Sequence, residues 1–500
     1  LKDPVFSVFS PYPAVKFALP FALGILASAF FDPFLLTALS LLSSILVYYF
    51  KPSWIYLLLI LFSGMLRMEM YSGNRDIAPI HCLQPDSLQY FVSSADRDSY
   101  RTRNYRLTAY DKGRQVGMIQ LYRPASAPLL KVGNSYRFQN LQISWLKDVQ
   151  DAGRRSGYEE YLFRKGYDGT ARIRKNSRID LSSEKPLLQR WLASLQIARF
   201  RMADDNLRRL GIRRGSLVNG LLLGLKKEIP ARTADAFRYM GMSHVLAVSG
   251  LHAAFLILIL YQIVRILQLP RALSTLLLLL MLSTYAALTG FTASVTRTLI
   301  MTAAVLGAPL CKRQNSSLNA LAATAAAMLL LRPVDLMDAG FQLSFSAVAG
   351  ILILYPPLKS IIYSSSSSFS NLTKAAMDLL LVSIAASLFT MPLTSFHFGT
   401  LPALGILLNI LIIPLTFLLM GCGILMMLPL PHFIQNIFVH SADLSARLYL
   451  YTVELFSGQP FWILELPLPE GPARAFAAAL MALLSLVLTR IIYRQTSPPR

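Results

Sequence analysis

The sequence predicts a polytopic α-helical membrane protein of about twelve membrane helices, half-helices included, with one small β domain. Three observations lead there. Hydrophobic residues make up 54% of the 500, charged residues only 15%, and mean hydropathy is +0.48. A soluble chain carries about 25% charged residues. Apolar runs of about spanning length crowd both ends of the chain. A polar, Tyr- and Arg-rich block separates them.

In chain order, residues 14–31, 34–50 and 53–68 read as three spans. Residues 105–110, 115–122, 135–145 and 169–173 read as short strands, with Pro124, Pro128 and Gly133 between them. Such spacing suits a small barrel or sandwich. Residues 186–211 place Leu188, Trp191, Leu195, Ala198 and Met202 at steps of three and four. That is an amphipathic helix suited to a membrane surface. Nine further spanning candidates follow at 244–264, 272–289, 292–310, 316–331, 339–354, 375–393, 401–413, 415–430 and 473–492. Asn409 precedes Pro414 by five residues, which suggests a broken helix. The divisions are 1–71 (membrane), 72–185 (β domain), 186–240 (interfacial helices) and 241–500 (helical module).

Charge is uneven. Net charge is +22, and residues 96–190 hold 20 basic against 10 acidic side chains. A basic patch points to an anionic partner, nucleic acid or lipid head groups. Short-loop cations (Arg265, Arg271, Lys312, Arg313, Lys359, Lys374) set those loops in the cytoplasm and the β domain outside. Cys82, Cys311 and Cys422 lie far apart, with no zinc-ligand spacing, and no cofactor or metal is implied. No phosphate-binding G-x-x-x-x-G-K-[ST] loop occurs.

Residues 241–252, Gly-Met-Ser-His-Val-Leu-Ala-Val-Ser-Gly-Leu-His, are the most unusual stretch. On a straight helix His244 and His252 stand roughly 12 Å apart along the axis, too far to share a metal. Ser249 and His252 would share a face. Interhelical hydrogen bonding and polar pore lining both fit. Ser294, Arg297, Gln342 and Asn409 are polar within apolar runs. They line a water-filled path for a polyanion or bond between helices.

The stretch from Ser243 to His252 resembles the signature of the ComEC family of inner-membrane DNA-uptake proteins. The segments 217–224 (Leu-Val-Asn-Gly-Leu-Leu-Leu-Gly), 290–297 (Gly-Phe-Thr-Ala-Ser-Val-Thr-Arg), 338–347 (Asp-Ala-Gly-Phe-Gln-Leu-Ser-Phe-Ser-Ala) and 157–166 (Gly-Tyr-Glu-Glu-Tyr-Leu-Phe-Arg-Lys-Gly) resemble its other elements in order. Ala293 stands where the family usually has proline, and Tyr167 where it has isoleucine. The resemblance implies an extracytoplasmic OB-like domain that receives DNA and a helical channel that passes one strand inward. It makes His244, Ser249, Gly250, His252, Ser294, Arg297, Gln342 and Asn409 channel-lining candidates. The DNA-binding candidates are Arg101, Arg103, Arg106, Arg123, Arg137, Tyr100, Tyr105 and Tyr122, since single strands want cations on phosphates and aromatics on bases. Alternation puts Tyr136 and Phe138 on one strand face and Arg137 on the other, so part of the aromatic set is core. The implied partners are single-stranded DNA, the bilayer, a DNA receptor, a separate nuclease and a cytoplasmic motor or strand-binding proteins. Longer members end in a metallo-β-lactamase-like domain, and the six histidines here form no H-x-H-x-D-H cluster, so this chain is expected to be no nuclease. The alternatives are a membrane-embedded hydrolase using Ser249 and His252, or a small-anion transporter.

Overall fold

The computed structural model describes residues 88–98, 101–111, 114–123, 130–146, 157–182, 187–246, 250–308, 316–364, 370–401 and 405–457, with isolated positions within 18–25, 63–68 and 464–489. The chain forms two compact units.

The first unit, Met70–Pro230 with Ala287–Gly290, is built on a closed five-stranded barrel. Its strands are β1 (Gln89–Asp98), β2 (Arg101–Asp111), β3 (Arg114–Tyr122), β4 (Ser135–Trp145) and β5 (Gly169–Ser182). They run in the order β1-β2-β3-β5-β4, and β4 closes on β1 through Tyr90↔Tyr136. β3 and β5 pair in parallel, and α1 (Gly157–Arg164) lies on the connection that makes this possible. The cause of the barrel is period-two burial. Tyr105, Leu107 and Ala109 of β2 point inward while Arg106 is exposed, and Tyr136 and Phe138 of β4 flank exposed Arg137. Closure leaves no sheet edge unpaired. Each large apolar side chain buried this way stabilises by about 1.5–3 kcal/mol. The strand β1 carried no strong sequence signal, and β2 and β5 are longer than their apolar cores suggest.

Two helices complete this unit, α2 (Leu187–Leu210) and α3 (Ile212–Leu223). The expected amphipathic helix exists, yet its buried face is not the apolar stripe. Ala193, Gln196, Arg199, Phe200, Ala203 and Asn206 are buried, whereas Trp191 and Met202 are exposed. Polar groups go inward because α3 meets them. Arg199 Nε donates to Leu223 O (2.7 Å) and Nη1 to Gln196 Oε1 (3.1 Å). Asn206 Nδ2 donates to Asn219 Oδ1 (2.8 Å), and Asn219 Nδ2 donates to Ala203 O (3.1 Å) and to buried Glu228 (3.0 Å). Gly133, at φ +87°, lets the β3–β4 connection turn against Ala193.

The second unit, Leu1–Glu69, Ala231–Ala286 and Phe291–Arg500, is helical. It holds α4 (Ala231–Tyr239), α5 (Gly250–Ile266), α6 (Arg271–Thr289), α7 (Ala293–Gly307), α8 (Ser317–Leu331), α9 (Ala339–Ser364), α10 (Asn371–Phe398), α11 (Gly405–Met427) and α12 (His432–Ser457). The expectation of about twelve spans does not hold. Among the described residues four helices, α6, α9, α10 and α11, are long and apolar enough to cross a membrane. The physical reason is that an apolar run measures composition, whereas a span needs continuous helix. The 244–264 run opens in a turn and its described helix, α5, covers 17 residues, while α7 and α8 reach only 15. The runs at 401–413 and 415–430 are one helix, because α11 continues through Pro414. The broken helix expected beside Asn409 is therefore absent from α11. The runs at 14–31, 34–50, 53–68 and 473–492 fall largely outside the described residues.

Within this unit α5 packs on α7, α7 on α8 and α9, α9 on α10, and α11 on α10 and α12. At Gly350 the carbonyl of Ala385 and the ring of Phe389 leave no room for a Cβ, so α9 and α10 touch backbone to backbone. Phe21, Ile25, Met328, Leu329 and Phe341 form a shared apolar core.

Candidate functional site

The barrel presents one aromatic and basic face that begins at Tyr122, the last residue of β3. Its hydroxyl lies 3.2 Å from that of Tyr158 on α1. Burial, and then the bond to Tyr158, push the Tyr122 phenol well above its usual range, so it stays neutral. Tyr158 and Tyr161 stand one helical turn apart and stack at 6.2 Å between centroids. Both rings are about half exposed, at 52% and 51%. Lys165 sits over Tyr161 at 5.6 Å, and exposed Arg172 pairs in register with Tyr122. Exposed stacked rings with cations beside them can take an unpaired base and its phosphate. Sequence reasoning passed over Tyr158, Tyr161, Lys165 and Arg172. The i,i+3 tyrosines in Gly157-Tyr158-Glu159-Glu160-Tyr161 were the available signal.

The other barrel candidates scatter. Arg106 is exposed, donates from Nε to the Tyr167 hydroxyl (2.7 Å) and lies over that ring at 5.4 Å. Arg137 is exposed on β4, and Arg123 is half-buried just after β3. Tyr105 is core: 1% exposed, its hydroxyl accepts from Leu130 N (3.1 Å). Tyr100 and the side chains of Arg101 and Arg103 lie outside the described residues.

In the helical unit the polar candidates fall along the helix contacts. Asp338 caps α9, its carboxylate accepting from Gly340 N (2.8 Å) and Phe341 N (3.3 Å). That cap fixes where the next turn points. Gln342 donates to Leu336 O (2.8 Å), and its Oε1 lies 2.7 Å from His397 Nε2 on α10. Ser344 meets Ser294 of α7 at 3.4 Å between hydroxyls. Phe345 lies 5.8 Å from the Arg297 guanidinium. One stretch of α9 thus joins Ser294, Arg297, Gln342 and His397.

Arg297 is buried at 5% exposure. Its Nε has no hydrogen-bond partner, and no ion pair reaches it among the described residues. An unpaired buried cation costs several kcal/mol, roughly. Its guanidinium rests against Gly250 of α5, where a Cβ would collide with Nη2. His252, two residues on, is buried at 1%. Ser249 lies outside the described residues. His244 stands exposed in the turn before α5, not on the helix with His252. Asn409 is separate: Nδ2 donates to Ser383 Oγ (3.2 Å), while buried Oδ1 has no partner among the described residues.

The family model described as "Competence protein" matches residues 221–491, more than half of the chain. The chain is 33% identical over 198 residues to the "ComE operon protein 3" of Bacillus subtilis (strain 168), 40% of this chain and 24% of that protein. It is 30% identical over 332 residues to an uncharacterized protein of Aquifex aeolicus (strain VF5), 64% of this chain and 72% of that protein. The match therefore spans about a quarter of the Bacillus relative's length. No solved structure matches.

Proposed function

We propose that this chain, which belongs to the competence protein family, carries single-stranded DNA across the bacterial inner membrane. The family match over 221–491 carries the reading. Two features support it. Helices α6, α9, α10 and α11 suit a bilayer. The barrel offers stacked tyrosines beside Lys165 and Arg172, the chemistry a single strand uses. In this reading the barrel faces outward and receives the strand, and the polar line of Ser294, Arg297 and Gln342 accompanies its passage. In this reading a DNA receptor, a nuclease activity for the second strand and a cytoplasmic motor work with it.

The test is transformation frequency in a deletion strain, scored together with nuclease-resistant external DNA. Complementation by wild type should restore entry. The deletion, and a strain carrying Arg297→Gln, should accumulate DNA outside the inner membrane. Normal entry in the deletion strain would overturn the reading.

A further inference from the structure

The register of the barrel lines up four polar side chains across four strands. Asn104 of β2 pairs with Tyr122 of β3, Tyr122 with Arg172 of β5, and Arg172 with Gln142 of β4. Register partners present their side chains on one face of the sheet. That face is the outer one, since the chain neighbours Tyr105, Leu121, Ala171 and Leu141 are buried while Arg172 and Gln142 are exposed. Three steps between strands make the row about 14 Å long, the length of about four stacked nucleotides. The row carries no carboxylate, and nearby Asp168 accepts from Met118 N (2.8 Å).

The aromatic pile of α1 ends on this row. Tyr161 has Tyr158 against it at 6.2 Å, three residues before, and Lys165 over it at 5.6 Å, four residues after. Those neighbours lie on opposite sides of the ring along the helix axis. A base therefore reaches Tyr158, the end of the pile, while Tyr161 is its backing. Tyr158 is also the ring tied to the row, through the 3.2 Å contact of its hydroxyl with that of Tyr122. Two hydroxyls that share one hydrogen bond keep one proton to donate outward, beside the Arg172 guanidinium.

We propose that a single strand crosses the barrel at right angles to its strands, along Asn104, Tyr122, Arg172 and Gln142, with one base stacked on Tyr158. Arg172 and the free hydroxyl proton meet the phosphate, and the two amides at the ends of the row meet the sugar-phosphate edge. The route rests on the proposed function for its ligand, and the experiment separates the two.

A labelled oligothymidine 8-mer is titrated against the full chain in detergent at several salt concentrations. Gln142→Lys adds a cation at the end of the row, so it should tighten binding and steepen the dependence of log K on log salt by about 0.7. Arg137→Gln removes a cation from the same strand, five residues and about 17 Å away, and should leave the affinity unchanged. Tyr158→Ala should weaken binding fivefold or more, and by more than Tyr161→Ala. An abasic 8-mer should bind wild type less tightly and be indifferent to Tyr158→Ala. If wild type binds no oligothymidine, the strand-receiving role of the barrel fails and the route with it. If it binds but Gln142→Lys changes nothing, or Arg137→Gln costs as much as Tyr158→Ala, the route is overturned while strand binding stands. Equal affinity for the abasic and thymidine oligomers overturns the stacked base and leaves a site for any polyanion.

Discussion

Arg199 and Arg297 are the two arginines buried among the described residues, one in the barrel unit and one in the helical unit. Arg199 is held at both ends of its fork, by Leu223 O and Gln196 Oε1. Arg297 has a ring face and an unpartnered Nε. The same residue type at similar burial thus does different work. Arg199 ties α2 to α3, and its charge is spread over fixed acceptors. Among the described residues no hydrogen bond ties Arg297 to a neighbour, so its charge is kept at a cost.

The sharpest way to break this comparison is to remove both charges. Arg199→Met leaves a carbonyl and an amide oxygen without their donor, and should lower stability by about 2–4 kcal/mol. Arg297→Met removes an uncompensated ion, and should be neutral or stabilising. Thermal unfolding of the full chain in detergent gives both signs, and a loss of equal size in the two variants would end the distinction. The next largest effect belongs to the exposed tyrosines. Tyr158→Ala and Tyr161→Ala should each weaken oligothymidine binding by about 1–3 kcal/mol, fivefold to about 150-fold, in a fluorescence titration. Tyr105→Phe provides the contrast within the barrel. It should cost about 1 kcal/mol through the lost Leu130 bond and leave oligonucleotide affinity unchanged. The smallest effect is a slope. Arg172→Gln should reduce the dependence of log K on log salt by about 0.7. An unchanged slope would remove Arg172 from the phosphate contacts.

The barrel and the helical module were not equally legible. In the barrel, period-two alternation is local: it put Tyr136 and Phe138 on one strand face and Arg137 on the other, and the structure shows which face is buried. Helix α2 was placed but its face was misjudged. The apolar stripe through Trp191 and Met202 is visible in sequence, whereas the acceptors that draw Arg199 and Asn206 inward lie on α3. Helix α12 went unread because Asp443, Arg447 and Glu454 break its hydropathy, although its buried face meets α4 through Phe237 and Tyr449. The count of about twelve spans failed for the same reason in reverse, as apolar runs at 292–310 and 316–331 gave helices of 15 residues, too short to cross.

Composition, strand alternation and the ordered motifs come from neighbours in the chain, so the sequence by itself determined the four long apolar helices, most of the barrel strands and the family, but not the number of spans. Contacts between distant residues belong to packing alone. Gly250 against Arg297, Gln342 with His397 and Tyr122 with Tyr158 join residues 47, 55 and 36 positions apart. No local propensity encodes those meetings. They exist because close-packed helices and a closed barrel leave each side chain one place to go, and there a buried charge either finds its partner or waits for one.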